Sequence, residues 1–175
     1  MAHYAPTPLN FEEVAERYLD FVYQICLRIL GDATEAEDAT QETFLSALRA
    51  WEALRGQAQV STWLYRIAVN ACLQRLRKRK HEHWLTDSIH EGKYIPAWRG
   101  APQRAAEQSE LRRRIQEGLA RLPPDLRVAV VLRDVQGLSN EEAARVVGAS
   151  ITAFKARLHR GRLLLRQFLE PFLQP

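Results

Sequence analysis

This 175-residue chain has little of what most reactive sites are built from. It holds two cysteines, Cys26 and Cys72, far apart and each within a helical pattern. That argues against a disulfide scaffold or a thiolate metal site and places both in a core. No apolar run approaches the roughly 18 residues of a membrane span. The longest clear one is Val128 to Leu132, so no membrane insertion is expected. The first residues, Met-Ala-His-Tyr-Ala-Pro, lack the basic-then-apolar order of a secretory signal, which points to the cytoplasm. There is no glycine-rich phosphate loop, no nucleophile elbow and no histidine pair one helical turn apart. His81 and His83 are two apart, with His90 remote and no cysteine near, which argues against zinc. No catalytic residue, metal site or cofactor is expected, and the chain is read as not an enzyme. Strand signals are nearly absent as well.

What is present is helical periodicity and localised charge. Residues 1–74 carry ten acidic residues against five arginines. Residues 75–80, Arg-Leu-Arg-Lys-Arg-Lys, are almost wholly cationic, and residues 150–175 carry five basic residues and one Glu. Residues 81–149 balance. Each cation laid beside a phosphate releases counterions, so two separated basic blocks fit two contacts on one polyanion. A single charge run is equally compatible with a solvated face.

Apolar spacing predicts a helix from a cap at Asn10, with Phe11, Val14, Tyr18, Val22, Ile25 and Ile29 on one stripe and Gly31 ending it. A second helix is expected from a Thr34–Glu37 capping box, with Ala36, Thr40, Phe44, Ala47, Leu48 and Trp51 inward. A third is expected from Ser61 or Thr62 to about Lys80, with Trp63, Leu64, Ile67, Ala68, Ala71 and Cys72 inward. Residues 81–106 lose the pattern and read as an interdomain linker. Helices near 107–122 and from Asp125 to Val135 follow, separated by Pro123-Pro124. The expected fold class is all-α: two small helical domains, 1–80 and 107–175, joined by a flexible linker.

The last third carries the sharpest signal. Ser139 and Glu142 form a capping box, Gly148 can end that helix in the left-handed region, and Ser150 can cap the next. This is helix-turn-helix spacing, whose second helix enters a DNA major groove. Phe154 and Leu158 should face the core. Thr152, Lys155, Ala156, His159 and Leu163 should face away, flanked by Arg157, Arg160 and Arg162. Cations with small residues suit base edges, and flanking arginines suit phosphates. On the second helix, Asp38, Gln41, Glu42 and Leu45 share one side. Acids near a helix N-terminus also complement its dipole; the alternative is a protein-docking face. On the third, Arg66, Asn70, Leu73 and Arg77 share a side, and Asn70 either bonds a neighbouring helix or reads a base. Trp63 either fills the core or stacks a base, burial being the commoner fate of an aromatic ring.

Three segments then resemble one family: Glu37-Asp38-Ala39-Thr40-Gln41-Glu42-Thr43-Phe44, Thr62-Trp63-Leu64-Tyr65-Arg66-Ile67-Ala68-Val69-Asn70, and Gly137 to Leu163. In this order they resemble the extracytoplasmic-function sigma factors of bacteria. The resemblance implies a sigma-2-like domain, a linker (81–106) and a sigma-4-like domain. It implies core RNA polymerase and promoter DNA as partners, with an anti-sigma factor as regulator. Asp38, Gln41, Glu42 and Leu45 would dock on the polymerase. Arg55, Trp63, Arg66, Asn70, Arg75, Arg77, Lys78, Arg79 and Lys80 would hold the −10 element. Ser150, Thr152, Lys155, Ala156, Arg157, His159 and Arg160 would hold the −35 element. The recognition helix has Ala153-Phe154-Lys155-Ala156 where the family often has Thr-Val-Lys-Ser. The alternative is a stand-alone helix-turn-helix regulator whose N-terminal half senses a ligand or dimerises.

Overall fold

A computed structural model describes residues 10–54, 59–85 and 104–173, so Arg55 and most of the expected linker lie outside the described residues. Among the described residues there are seven α-helices, one π-helical turn and no strand. Helix α1 (Phe11–Leu30) opens on a reciprocal capping box between Asn10 and Glu13 and closes on Gly31 at φ 73°. Such a box satisfies two amide donors that would otherwise lack partners. Val14, Val22, Ile25 and Ile29 of this helix are fully buried. Each such side chain contributes about 1.5–3 kcal/mol relative to exposure.

Helix α2 (Ala33–Leu54) starts earlier than its expected Thr34 cap. The Asp32 carboxylate accepts the Glu35 N–H at 2.9 Å and thereby serves as the cap. Asp caps as well as Thr does, and directly after Gly31 it turns the chain in the shortest distance. The inward face of α2 is Ala36, Ala39, Thr40, Thr43 and Ala47, whereas Leu48, expected inside, is 52% exposed. A stripe of 3.6-residue period drifts away from Leu48 by that turn. The two buried threonine hydroxyls donate to Ala36 O and Ala39 O, each at 2.7 Å, so neither is left unsatisfied.

Helix α3 (Val60–Leu85) begins after Gln59, which adopts φ 70°, rather than at Ser61 or Thr62. It buries Leu64, Ala68, Val69, Ala71 and Cys72. Cys26 and Cys72 are buried free thiols that meet between α1 and α3. The hydrogen bond with Cys26, together with burial, pushes the Cys72 thiol up from its ordinary value.

Helix α4 (Arg104–Arg121) stops before Pro123-Pro124, and Pro124 is the first residue of α5 (Pro124–Val130). Proline there loses no intrahelical donor. Helical structure thus enters the expected linker from both ends, α3 reaching Leu85 and α4 starting at Arg104. Helix α5 runs into a π-helical turn, Val131–Val135, where a plain α-helix was expected. Val128 to Leu132 are all at most 2% exposed, which makes α5 the central element of this half.

Helix α6 (Asn140–Val147) carries the Ser139–Glu142 capping box and ends at Gly148, φ 65°. Helix α7 (Ile151–Leu173) crosses α5 at Gly161. A Cβ there would lie 2.8 Å from Val130 Cγ2 and 3.0 Å from Leu126 O, so the absent side chain sets the approach of the two helices. The two halves do not stand apart. α6 packs on α3, and α4 and α5 pack on α1, so one continuous buried cluster spans both.

Candidate nucleic-acid interface

The helix-turn-helix is α6, the three residues 148–150 and α7. Ser150 Oγ accepts the Ala153 N–H at 3.1 Å, so this hydroxyl builds the helix start. Phe154 (0% exposed) and Leu158 (4%) anchor the inner face. Thr152, Lys155, Ala156, His159 and Arg160 are exposed, and Arg157 is half-buried. Glu170 is the one acidic residue of α7, some three turns beyond Arg160, so the N-terminal half of the helix is purely cationic. Arg162 is differently placed: its Nε and Nη2 donate to the Asp134 carboxylate on the π-helical turn, at 2.8 and 2.5 Å. Its hydrogen bonds to the Asp134 carboxylate hold the guanidinium above the ordinary range. Arg162 therefore orients α7 against the body of the protein.

On α3, Arg66 and Asn70 are exposed one turn apart, and Gln74 continues the row. Sequence reasoning missed Gln74. The i, i+4, i+8 spacing from Arg66 was the signal that could have found it. A groove of about 170 Å³ runs between α2 and α3, lined by Glu42, Ser46, Ile67, Asn70, Ala71 and Gln74. Asn70 thus stands on a groove wall, in solvent. Trp63 is half-buried and packs against the core cluster.

The cations of α3 are distributed unevenly. Arg77, Lys78 and Lys80 are exposed. Arg75 Nη2 donates to Glu42 at 2.9 Å. Arg79 pairs with Glu35 and donates to Leu30 O at 3.1 Å. Arg66 Nη2 donates to Arg145 O, at the C-terminal end of α6, at 2.5 Å. Three arginines expected beside DNA are thus engaged by carbonyls and carboxylates of α1, α2 and α6. The sequence could not show this, because their partners lie 33, 44 and 79 residues away.

On α2, Asp38, Gln41 and Glu42 are exposed, with Leu45 54% and Leu48 52% exposed beside them. Two adjacent leucines in water, next to two carboxylates and an amide, form a surface suited to a protein partner. Glu42 belongs to this face and to the groove at once.

Among the described residues, no helix is long and apolar enough to cross a membrane. Residues 14–82 match the family model described as Sigma-70 region 2, and residues 112–165 match that described as Sigma-70, region 4. Fold and surfaces therefore define a two-region protein of the sigma-70 class. The chain is 34% identical over 165 residues to the ECF RNA polymerase sigma factor SigW of Bacillus subtilis, across 91% of this chain and 88% of that one. It is 31% identical over 170 residues to the RNA polymerase sigma-H factor of Pseudomonas aeruginosa, across 94% and 88%. It also shares the fold of the sigma factor RpoE of Bartonella quintana, with a TM-score of 0.73 and 24% identity over 91% of this chain and 96% of that chain. The chain belongs to the ECF RNA polymerase sigma factors. That membership sets aside the stand-alone regulator.

Proposed function

We propose that this sigma factor docks on core RNA polymerase through α2 and directs it to promoters through α3 and α7. Asp38, Gln41, Glu42 and Leu45 form the docking face, and Leu48 extends it by one turn. Arg66, Asn70 and Gln74 line the −10 side, with Trp63 supporting the wall. Arg55, Arg77, Lys78 and Lys80 serve the backbone there, and Arg75 and Arg79 join them only when released from Glu42 and Glu35. Flipping a base out of its stack requires a few kcal/mol, which contacts in the α2–α3 groove must offset. Thr152, Lys155, Ala156 and His159 face the −35 bases, and Arg157 and Arg160 its phosphates. Ser150 starts their helix.

The observation that carries this reading is the shared groove, where Glu42 of the docking face and Asn70 of the DNA face line one cleft. Polymerase and melted DNA would then meet on opposite lips of a single feature. The proposed organisation is 1–80 for the sigma-2-like part, 81–106 for the connector and 107–175 for the sigma-4-like part. The protein acts without catalysis and in the cytoplasm, where its polymerase is. An anti-sigma factor is its proposed regulator; the Bartonella RpoE was solved with the anti-sigma factor NepR.

Run-off transcription with purified core polymerase on genomic fragments tests the reading. New start sites that require the protein are expected. Unaltered starts, together with tight binding of the protein alone to duplex DNA, would refute it.

A further inference from the structure

We propose that Cys26 and Cys72 form a redox site, a dithiol that hydrogen peroxide converts to a disulfide tying α1 to α3, and that the bond weakens promoter binding. The last clause rests on the proposed −10 role of α3. These are the only cysteines of the chain, and they are far apart in sequence. The fold brings them together all the same. Cys26 belongs to the buried row Val22, Ile25, Cys26 and Ile29 of α1, and Cys72 to the buried row Ala68, Val69, Cys72 and Leu76 of α3. Both are free thiols at 0% exposure, and they are hydrogen-bonded to each other.

A buried thiol can fill a core as a small apolar group with no partner. Here each sulfur meets the other, and the two are not equivalent. The hydrogen bond from Cys72, with the Arg75 charge, holds the Cys26 thiol below its ordinary value, against the burial that would raise it. Cys72 is pushed up. Cys26 therefore supplies the attacking thiolate, and Cys72 keeps its proton until the second step. The Cys26 sulfur attacks one oxygen of the peroxide, the O–O bond breaks and a sulfenic acid forms, while the departing hydroxide leaves as water with the Cys26 proton. The Cys72 sulfur then attacks the Cys26 sulfur. The S–O bond breaks, the S–S bond forms, and hydroxide leaves with the Cys72 proton as a second water. Two thiols give up two electrons, and the peroxide takes them. With neither sulfur exposed, the oxidant has to be small and uncharged, which hydrogen peroxide is and a peptide disulfide is not.

The place of Cys72 on α3 gives the bond its consequence. Cys72 follows Ala71, which lines the α2–α3 groove, and stands between Asn70 and Gln74, which line it too. Bond formation draws the two sulfurs inside hydrogen-bond distance, and a close-packed core passes that movement to the backbone. The turn of α3 that carries the groove wall is then pulled toward α1. A groove shaped to hold a flipped base loses contacts, and the −10 strand binds more weakly.

The test uses the full chain, treated with hydrogen peroxide, freed of the oxidant and checked for fold by circular dichroism. Remaining thiols are alkylated, and a peptide map without reductant should show the Cys26 and Cys72 peptides joined. Dithiothreitol should part them. Cysteines that oxidise but stay unjoined, or thiols that react only once urea unfolds the chain, would overturn the site. Oxidised protein, added to untreated core polymerase, should bind the promoter mapped by run-off transcription about tenfold more weakly than reduced protein, the scale of one lost hydrogen bond. Cys72→Ala treated in the same way should bind as its untreated form does, and should that variant fail to fold, Cys26→Ala takes its place. A joined pair with unchanged promoter affinity would overturn the effect on binding, as would a loss of affinity that persists in the alanine variant. Reduced protein that yields no new start sites refutes the promoter function itself, while the peptide map still judges the dithiol.

Discussion

The two basic helices of this chain, α3 and α7, use their cations differently. On α3, Arg66, Arg75 and Arg79 are taken up by groups of α6, α2 and α1. On α7, Lys155 and Arg160 have no carboxylate partner among the described residues, and both are exposed. The difference is one of surroundings. Helix α3 lies between α2, whose acids face it, and α6, whose C-terminal carbonyls reach it. Helix α7 shows its N-terminal half to solvent, and the one arginine of that block bound to a carboxylate, Arg162, is held by Asp134. A basic helix is therefore a ready nucleic-acid surface only when its neighbours leave its cations unspent.

The comparison breaks most visibly at α7. Lys155→Ala with Arg160→Ala should abolish −35-dependent run-off transcription, each change weakening promoter affinity by about 1–3 kcal/mol. Start-site selection that survives both changes would mean that α7 is not the reader. Next in size, Asp38→Ala with Gln41→Ala should weaken core polymerase binding at least about tenfold in a pull-down. Both residues are exposed, so urea stability should stay within about 0.5 kcal/mol. Undiminished pull-down would move the docking face elsewhere.

Gly161→Ala forces a methyl against Val130 and the Leu126 carbonyl. A loss of about 1–3 kcal/mol in urea unfolding is expected. Ser139→Ala should lower stability by about 1 kcal/mol, since its hydroxyl caps α6 at the Glu142 N–H, 3.1 Å away. The smallest effect sharpens the contrast between the helices. Glu35→Gln loosens Arg79 from α2, and a partly exposed pair of this kind contributes less than about 1 kcal/mol. Stability should hardly change, while the salt dependence of holoenzyme binding to promoter DNA steepens as Arg79 becomes available to phosphate. An unchanged salt slope would show that Arg79 stays on the Leu30 carbonyl.

Local signals proved readable wherever the partners lie within one turn. The boxes at Asn10–Glu13 and Ser139–Glu142, the left-handed Gly31 and Gly148, and the Ser150 cap are all formed. Phe154 and Leu158 face the core as the spacing requires. Reading failed where two local solutions competed. Asp32 outran Thr34 as a cap, and Gln59 began α3 ahead of Ser61 and Thr62. Leu48 was placed inside by its hydrophobicity, yet the buried face of α2 is built from the smaller Ala36, Ala39, Thr40, Thr43 and Ala47. Large and apolar is not the same as inward when a helix packs closely on its neighbours. Asp38, Gln41, Glu42 and Leu45, the proposed docking quartet, shared a face in sequence and do so in space, because one helix carries all of them. The groove was not legible, since Glu42 and Asn70 belong to different helices.

The sequence by itself determined the helices, the caps at Asn10, Ser139 and Ser150, the two basic blocks and the family. Each of these depends on residues a few positions apart, where backbone geometry dictates which groups can meet. Only the tertiary structure decided which arginines are spent and which are available, and that Arg127 joins two helix ends across the halves. Those contacts span from 33 to 98 residues where they cross between helices distant in sequence. No periodicity encodes them. They are settled when the apolar faces pack and a buried guanidinium must find acceptors where the packing has left them.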